Sequence, residues 1–218
     1  MPGWHDNSPQ KMIINDVGYT ISQCAVVLLA AGSSSRLGRP KQLLPFRGKS
    51  LLQHAVDAVL ESGMRPLLVV TGAYTDIISR ELQNQEVTIV NNPGWEEGMA
   101  ASIRTGITAA MQMGNIDAVL LMVCDQPFIT PALLQTLLQV QRNTGAPAVA
   151  SKYGDRKGTP VLWHKIFFPQ LLQLQGDTGA KKIIQQYDAL IPSVAFEKGL
   201  VDVDTLEAYE RLQQGNNE

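Results

Sequence analysis

The stretch Cys24-Ala-Val-Val-Leu-Leu-Ala-Ala-Gly-Ser-Ser-Ser-Arg-Leu-Gly-Arg-Pro-Lys41 decides the fold. Its first part, Ala25 to Ala30, is apolar at every position and shows no polar/apolar alternation. A strand that is apolar on both faces belongs inside a parallel sheet with helices over each side. The run then breaks into a glycine- and serine-rich turn that carries Arg36 and ends at Lys41. Open α/β sheets bind their ligands at the carboxyl ends of strands, which is where this turn lies.

Outward from that stretch, apolar runs alternate with amphipathic ones. Strands are predicted at Pro66–Thr71, Val87–Asn91 and Ala118–Val123, and helices at Leu51–Glu61, Tyr74–Gln83 and Met99–Met113. Repeated strand–helix–strand units predict a three-layer α/β fold with a doubly wound, mostly parallel sheet. Past Pro127, Thr130 and Pro131 open a helix that runs to Arg142. Strands at Ala146–Lys152 and Thr159–Trp163 flank a turn-rich segment, Tyr153 to Gly158. Helical pieces at Ile166–Leu174 and Gly179–Tyr187, a strand at Leu190–Val194 and a helix at Thr205–Gln213 complete the pattern. Residues 1–22 are expected to form an extension with a short strand around Lys11 to Tyr19, residues 23–214 one domain, and residues 215–218 a tail.

Composition narrows the function classes. Of the 218 residues 44% are hydrophobic and 17% charged, with a formal net charge of −2. That balance builds a core and gives no basic footprint for nucleic acid or a membrane surface. The longest apolar run, Cys24 to Ala31, is far short of the ~18 residues a membrane span needs. No signal-peptide pattern opens the chain, so a cytoplasmic protein is the expectation. Cys24 and Cys124 both fall in apolar runs and are expected to be buried free thiols, although the sequence leaves a disulfide open.

In an acidic chain the positive field for a polyphosphate must be local. Gly32 and Gly38 permit backbone angles that let amide groups converge on anionic oxygens. Ser33, Ser34 and Ser35 add small hydroxyl donors, Arg36 a bidentate fork and Lys41 a mobile point charge. The loop is neither a Walker A motif nor a dinucleotide fingerprint. Its bland alternative is an ordinary Gly/Ser turn. Asp125, separated by one residue from the end of the strand Ala118–Val123, is placed to hold Mg²⁺ against phosphate oxygens. In Asp202-Val-Asp204 both carboxylates could face one site. Asp202 is favoured as the second metal ligand and Asp204 as the N-cap of the last helix.

The segment Leu29-Ala-Ala-Gly-Ser-Ser-Ser-Arg-Leu-Gly-Arg-Pro-Lys41 resembles the signature of the MobA-like NTP transferases, relatives of the sugar-nucleotide pyrophosphorylases. Asn92-Pro-Gly-Trp-Glu-Glu-Gly-Met-Ala-Ala-Ser102, Cys124-Asp-Gln-Pro127 and Gly176-Asp-Thr-Gly-Ala180 extend the resemblance over about Ala25 to Leu212. It implies a Rossmann-like, nucleotide-diphospho-sugar transferase type of fold. It also implies a metal-dependent transfer of a nucleotidyl group, with Mg²⁺ or Mn²⁺ as the cofactor. The spelling Leu29-Ala-Ala-Gly32, in place of the Leu-Ala-Gly-Gly of the guanylyl branch, points to CTP. The branch resembled transfers CMP to a molybdopterin-type acceptor, with a molybdoenzyme or its maturation chaperone as a further partner.

By the same resemblance Arg36, Lys41 and Asp125 are the catalytic set. Leu29, Ala30, Ala31, Gly32, Ser33, Ser34, Ser35, Arg36 and Lys41 bind the nucleotide, with Thr71, Gly72, Ala73, Gly98, Met99 and Ser102 around the nucleoside. Core packing is the alternative for Trp95 and Met99, and a hydroxyl bonded to its own helix is the alternative for Ser102. Lys157, Gly158, Pro160 and Asp177 are expected on the acceptor side; solvated lysine faces are the alternative for Lys157, Lys181 and Lys182. His164 lacks a partner in sequence and is read as structural or rim. Two other functions stay open: the same chemistry on a sugar, polyol or aminoalcohol phosphate, and a non-catalytic nucleotide- or cofactor-binding protein.

Overall fold

The computed structural model describes residues 18–34 and 37–214. Its main sheet is built from β1 (Cys24–Leu29), β4 (Leu67–Thr71), β5 (Thr88–Asn91), β6 (Ala118–Val123), β7 (Ala148–Tyr153), β8 (Arg156–His164) and β9 (Ser193–Ala195). A separate hairpin pairs β2 (Pro45–Phe46) with β3 (Lys49–Ser50). The seven strands lie in the order β5-β4-β1-β6-β8-β7-β9. β1, central in the crossover half, runs parallel to β4 and β6, and β4 parallel to β5. β8 is antiparallel to both neighbours, β6 and β7, and β9 returns parallel to β7. This is the expected mixed, mostly parallel sheet with helices on both sides.

The layers follow from the period-2 geometry of β1. Val26 and Leu28 face α1 (Leu51–Ser62) and α4 (Pro131–Thr144), packing with Leu52, Val56, Val59, Leu134 and Leu137. Ala25, Val27 and Leu29 face α3 (Met99–Gln112) and α5 (Phe168–Leu172), among Ile103, Ile107, Trp163 and Leu171. α2 (Thr75–Glu81) adds Ile78 to the first layer and α6 (Lys181–Gln186) adds Ile183 and Ile184 to the second. A third, small apolar group decides the position of the chain's end. Tyr209 and Leu212 of α7 (Leu206–Gln214) pack with Val203 on Leu44, Phe46 and Leu51, and the Tyr209 hydroxyl donates to the Pro45 carbonyl at 2.7 Å. That contact carries the segment before α7 back beside the end of β1.

Local chemistry explains the boundaries that differ from the sequence expectation. β8 begins at Arg156, because Arg156, Lys157 and Gly158 pair back on Tyr153, Lys152 and Ser151 in a tight hairpin. The expected strand Leu190–Val194 is instead a 3₁₀ turn, Asp188–Leu190, followed by the short β9. The last helix starts one residue late: the Thr205 hydroxyl accepts from the Ala208 N–H at 3.2 Å, so Thr205 is the cap, not Asp204. Most of the expected strand Lys11–Tyr19 lies outside the described residues; Tyr19 itself is loop, its N–H donating to the Gly145 carbonyl at 2.9 Å. Among the described residues no helix is long and apolar enough to cross a membrane.

Cys24 and Cys124 are buried and unpaired with each other. Burial, the largest influence on each, pushes both thiols up to about 12. Reactivity needs the thiolate. Neither cysteine is therefore expected to react with an aromatic disulfide reagent at pH 8 in the folded protein, while both react in denaturant. Counting thiols released in the two conditions checks this.

Candidate active site

At the carboxyl ends of β1 and β6 the structure opens a cleft of about 870 Å³. Leu29 to Ser34 form one side, Asp125 and Gln126 the floor, and the β7–β8 hairpin and the Asp177–Lys181 loop the far side. This is the ligand position the sheet topology dictates.

The glycine-serine loop is held from behind. The carbonyls of Ala30 and Gly32 both accept from the Gln42 side-chain amide at 2.9 Å, that of Ala31 from the Ala73 N–H at 3.1 Å, and that of Ser33 from the Tyr74 hydroxyl at 2.9 Å. Four successive carbonyls are thus committed to protein, which suits a loop that offers an anion its donor side. Among the described residues of the loop, φ is positive at Ser34, at 53°, and Gly38, at 67°. Gly32 does not need that freedom; a side chain there would meet nothing within 4 Å, so its contribution is open space on the cleft. The Ser34 hydroxyl accepts from the Lys41 N–H at 3.0 Å, closing the loop on itself. Ser35 and Arg36 lie outside the described residues.

Sequence reasoning missed Gln42. It sits in the 3₁₀ turn Lys41–Leu43 and is 1% exposed. A glutamine beside Leu43 and Leu44, where an apolar residue would suffice, was the available signal. Gln42→Leu removes a donor from two carbonyls, and the buried one, of Ala30, is left unpaired at a cost of about 1–3 kcal/mol. The variant is expected to melt lower and to bind nucleotide at least about tenfold more weakly, as read by a thermal melt and a nucleotide titration.

Asp125 follows β6 as the sequence requires. Its Oδ2 receives the Lys41 ammonium at 2.5 Å, and Asp204 Oδ1 receives the same ammonium at 2.8 Å. Asp204 is therefore turned into the cleft, which corrects its reading as a helix cap. Val203, between the two late carboxylates, donates its N–H to the Asp125 carbonyl at 3.2 Å and so locks the segment to β6. Asp202 also lines the cleft. Burial, then Asp204 and Asp125, raise its pKa above the ordinary carboxylate range: three acids share one field. Burial opposes the charge on Lys41, but Asp125 first and then the other acidic groups outweigh it, leaving the ammonium firmly protonated.

The other Asp125 oxygen, Oδ1, is buried without a hydrogen-bond partner. A buried acceptor left open on a carboxylate that faces two more carboxylates fits a divalent cation. Among the described residues no three His, Cys, Asp or Glu side chains gather as a ready-made metal shell. Ions of the Mg²⁺ class take one or two carboxylates and complete their shell with phosphate and water.

Of the residues expected around the nucleoside, Met99 is 46% exposed at the start of α3 and lines the cleft with Gly98, Ser102 and the neighbouring Trp95. Core packing does not account for Met99. The buried Ser102 hydroxyl accepts from the Asn92 side-chain amide at 3.1 Å rather than serving its own helix. Thr71, Gly72 and Ala73 do not line the cleft. Gly72 lies where a side chain would come within 2.6 Å of Trp95 and 2.7 Å of the Ala31 carbonyl, so this turn backs the loop.

The residues expected on the acceptor side divide. Gly158 and Asp177 line the cleft. Pro160 is buried behind it, its carbonyl accepting from Ser151 at 2.9 Å. Lys157 reaches the wall, but its ammonium donates to the carbonyls of Asp188 and Ile191 at 2.8 Å and pairs with the Asp188 carboxylate. It pins β8 to the 3₁₀ turn before β9. The exposed cations on this wall are Lys181 and Arg156, the latter missed because it sits in what reads as a turn. Gln126 was missed as well: buried, it donates to the Gly199 carbonyl and accepts from the Thr159 hydroxyl, tying floor, hairpin and late segment together. His164 is structural, with Nδ1 accepting from the Ile166 N–H and its ring 4.8 Å from that of Tyr19.

Comparison with known proteins accords with this geometry. Residues 26–190 match the MobA-like NTP transferase domain. The chain is 32% identical to nicotine blue oxidoreductase of Paenarthrobacter nicotinovorans, over 85% of this chain and 94% of that one. It is 24% identical to molybdenum cofactor cytidylyltransferase of Escherichia coli, over 82% and 90%. Among solved structures, Rv0371c of Mycobacterium tuberculosis in complex with manganese shares 26% identity at a TM-score of 0.71, covering 88% of this chain and 99% of that one.

Proposed function

The chain belongs to the MobA-like NTP transferase family and is a nucleotidyltransferase, and on that premise we propose that it transfers CMP from CTP to a molybdopterin-type acceptor with release of pyrophosphate. The observation that carries the reading is the meeting of the braced loop with Asp125 and Asp204 across Lys41. Gly32, Ser33 and Ser34 take the triphosphate, Lys41 draws its charge, and Met99 and Trp95 flank the nucleoside. Asp125, with Asp202 and Asp204 beside it, holds Mg²⁺ or Mn²⁺, which when bound neutralises phosphate charge.

In the reaction an acceptor phosphate oxygen forms a bond to the α-phosphorus as the bond from that phosphorus to the bridging oxygen of pyrophosphate breaks. No covalent intermediate on the protein is required, and the chain's share is alignment and charge neutralisation. Arg156 and Lys181 stand on the wall from which an anionic acceptor would approach. The preference for cytosine rests on Ala31, whose side chain packs with Leu29 and Ile103 and fills a position at the head of the loop. A glycine there would leave room for a larger base.

Pyrophosphate release from CTP, GTP, UTP and ATP against each acceptor class, with Mg²⁺ or Mn²⁺, tests the proposal. CTP with the molybdopterin-type acceptor is expected to exceed every other pair at least tenfold. Turnover confined to a sugar, polyol or aminoalcohol phosphate would replace the acceptor. Tight nucleotide binding without turnover, or a redox reaction without pyrophosphate, would overturn the reading.

A further inference from the structure

We propose that Lys41 is a resident counter-ion that occupies the cation seat between Asp125 and Asp204 and yields it only when the triphosphate reaches the loop, so that a divalent ion enters together with the nucleotide and is excluded before it. The inference rests on the reading of Asp125 and Asp204 as the metal carboxylates and goes beyond it by assigning an order of binding.

The geometry is that of a cation between two anions. The ammonium lies 2.5 Å from Asp125 Oδ2 and 2.8 Å from Asp204 Oδ1, with the lysine side chain only 18% exposed. Two carboxylates held this close in a partly desolvated cleft repel strongly unless a positive charge lies between them. Asp202 adds a third acid to the same field. A divalent ion arriving alone must displace a covalently tethered ammonium whose effective concentration at the seat is high.

The backbone of Lys41 is anchored independently of its ammonium. Its N–H is bound to Ser34, and its neighbour Gln42 is anchored to Ala30 and Gly32. Beyond that anchor a four-carbon stem can swing the charge. The Ser33–Ser34 side of the loop adjoins this stem in the cleft, so a triphosphate seated there offers the ammonium a denser negative charge than two carboxylates do. When the ammonium turns to phosphate, Asp125 loses the cation beside it and its affinity for a divalent ion rises. The coupling is reciprocal: nucleotide tightens metal, and metal tightens nucleotide by the same factor.

The test is Mn²⁺ binding to the metal-free full chain without nucleotide, followed by loss of the sharp six-line resonance of free Mn²⁺. Lys41→Met is expected to bind Mn²⁺ at least about tenfold more tightly than wild type, and Lys41→Arg, which keeps the charge, to resemble wild type. Adding Asp125→Asn to Lys41→Met should remove the gain. Lys41→Gln, which keeps a hydrogen-bond donor for the carboxylates, gives a second neutral variant, and Mn²⁺ should raise the melting temperature of either neutral variant more than that of wild type. Equal or weaker Mn²⁺ binding by both neutral variants overturns the proposal. If that happens while Asp125→Asn still abolishes Mn²⁺ uptake in the presence of a non-hydrolysable CTP analogue, the metal reading of Asp125 survives. If Asp125→Asn changes nothing in either condition, that reading falls too.

Discussion

Asp125→Asn is expected to lower turnover about a thousandfold or more, the range reached when a preorganised charge at the transferred group is removed. The substitution keeps the volume and planarity of the side chain and removes its charge. The side chain is 14% exposed and sits at the end of β6, whose Val119 to Met122 are buried, so the surrounding packing has no cause to shift. What changes is chemical. The buried Oδ1 loses its fitness for a cation, and Lys41 loses the first of its two partners. Binding of CTP should change far less than turnover, because the loop proposed to grip the triphosphate is braced by Gln42, Ala73 and Tyr74 through bonds that do not involve Asp125. Pyrophosphate release under saturating CTP and metal, set beside a CTP titration and a melt, separates these effects. Wild-type turnover in a folded Asp125→Asn protein would remove Asp125 from the catalytic set, and an equal loss of turnover and CTP affinity would make it a general binding residue.

The parts of this site that were legible in the sequence are those whose cause is local. β1, β4 and β6 were legible because strands buried on both faces must be uniformly apolar, and Asp125 because it stands just past the end of one of them. Gln42 was not, since its partners are the backbone carbonyls of Ala30 and Gly32, and a hydrogen bond to a backbone leaves no mark in the side chains of either residue. The partner of Lys157 was not legible for a related reason: an ammonium takes any acid within reach, and the one it takes, Asp188, is 31 residues away. Asp204 and Thr205 are adjacent and both make good caps. What decides between them is α7 docking on Phe46 and Leu51, which turns Asp204 toward Lys41 and leaves the cap to Thr205. Thr71 to Ala73 stand at the end of a central strand, as binding residues often do. Trp95 closes over Gly72, however, and turns that edge into the support of the loop.

Gly98→Ala is expected to cost about a hundredfold in kcat/KM together with a clear fall in melting temperature, because Gly98 holds two walls of the cleft at contact distance. Its φ of 115° and ψ of −169° are a combination that residues with a side chain adopt only under strain of about 1–3 kcal/mol. A Cβ there would lie 2.3 Å from Asp177 Oδ1 and 2.7 Å from the Gly176 carbonyl, so the Gly176–Asp177 loop would have to withdraw. The loop cannot withdraw alone. The Ala100 N–H donates to the Gly176 carbonyl at 3.0 Å, and Arg104, paired with Glu97, donates to the Leu174 carbonyl at 2.6 Å. Displacing it also moves Gly179 off Met99, on the side where the nucleoside is proposed to sit. A shift of about 1 Å between groups that align two reactants is enough for a hundredfold loss. Gly176→Ala is the matched control: φ there is also positive, at 60°, but an added side chain would meet nothing within 4 Å. That variant should show only the ~1–2 kcal/mol of a left-handed residue and nearly normal kinetics. If the two variants lose activity equally, backbone strain rather than the closeness of the two walls explains Gly98, and the wall formed by α3 and the Gly176–Gly179 loop has no part in aligning the reactants.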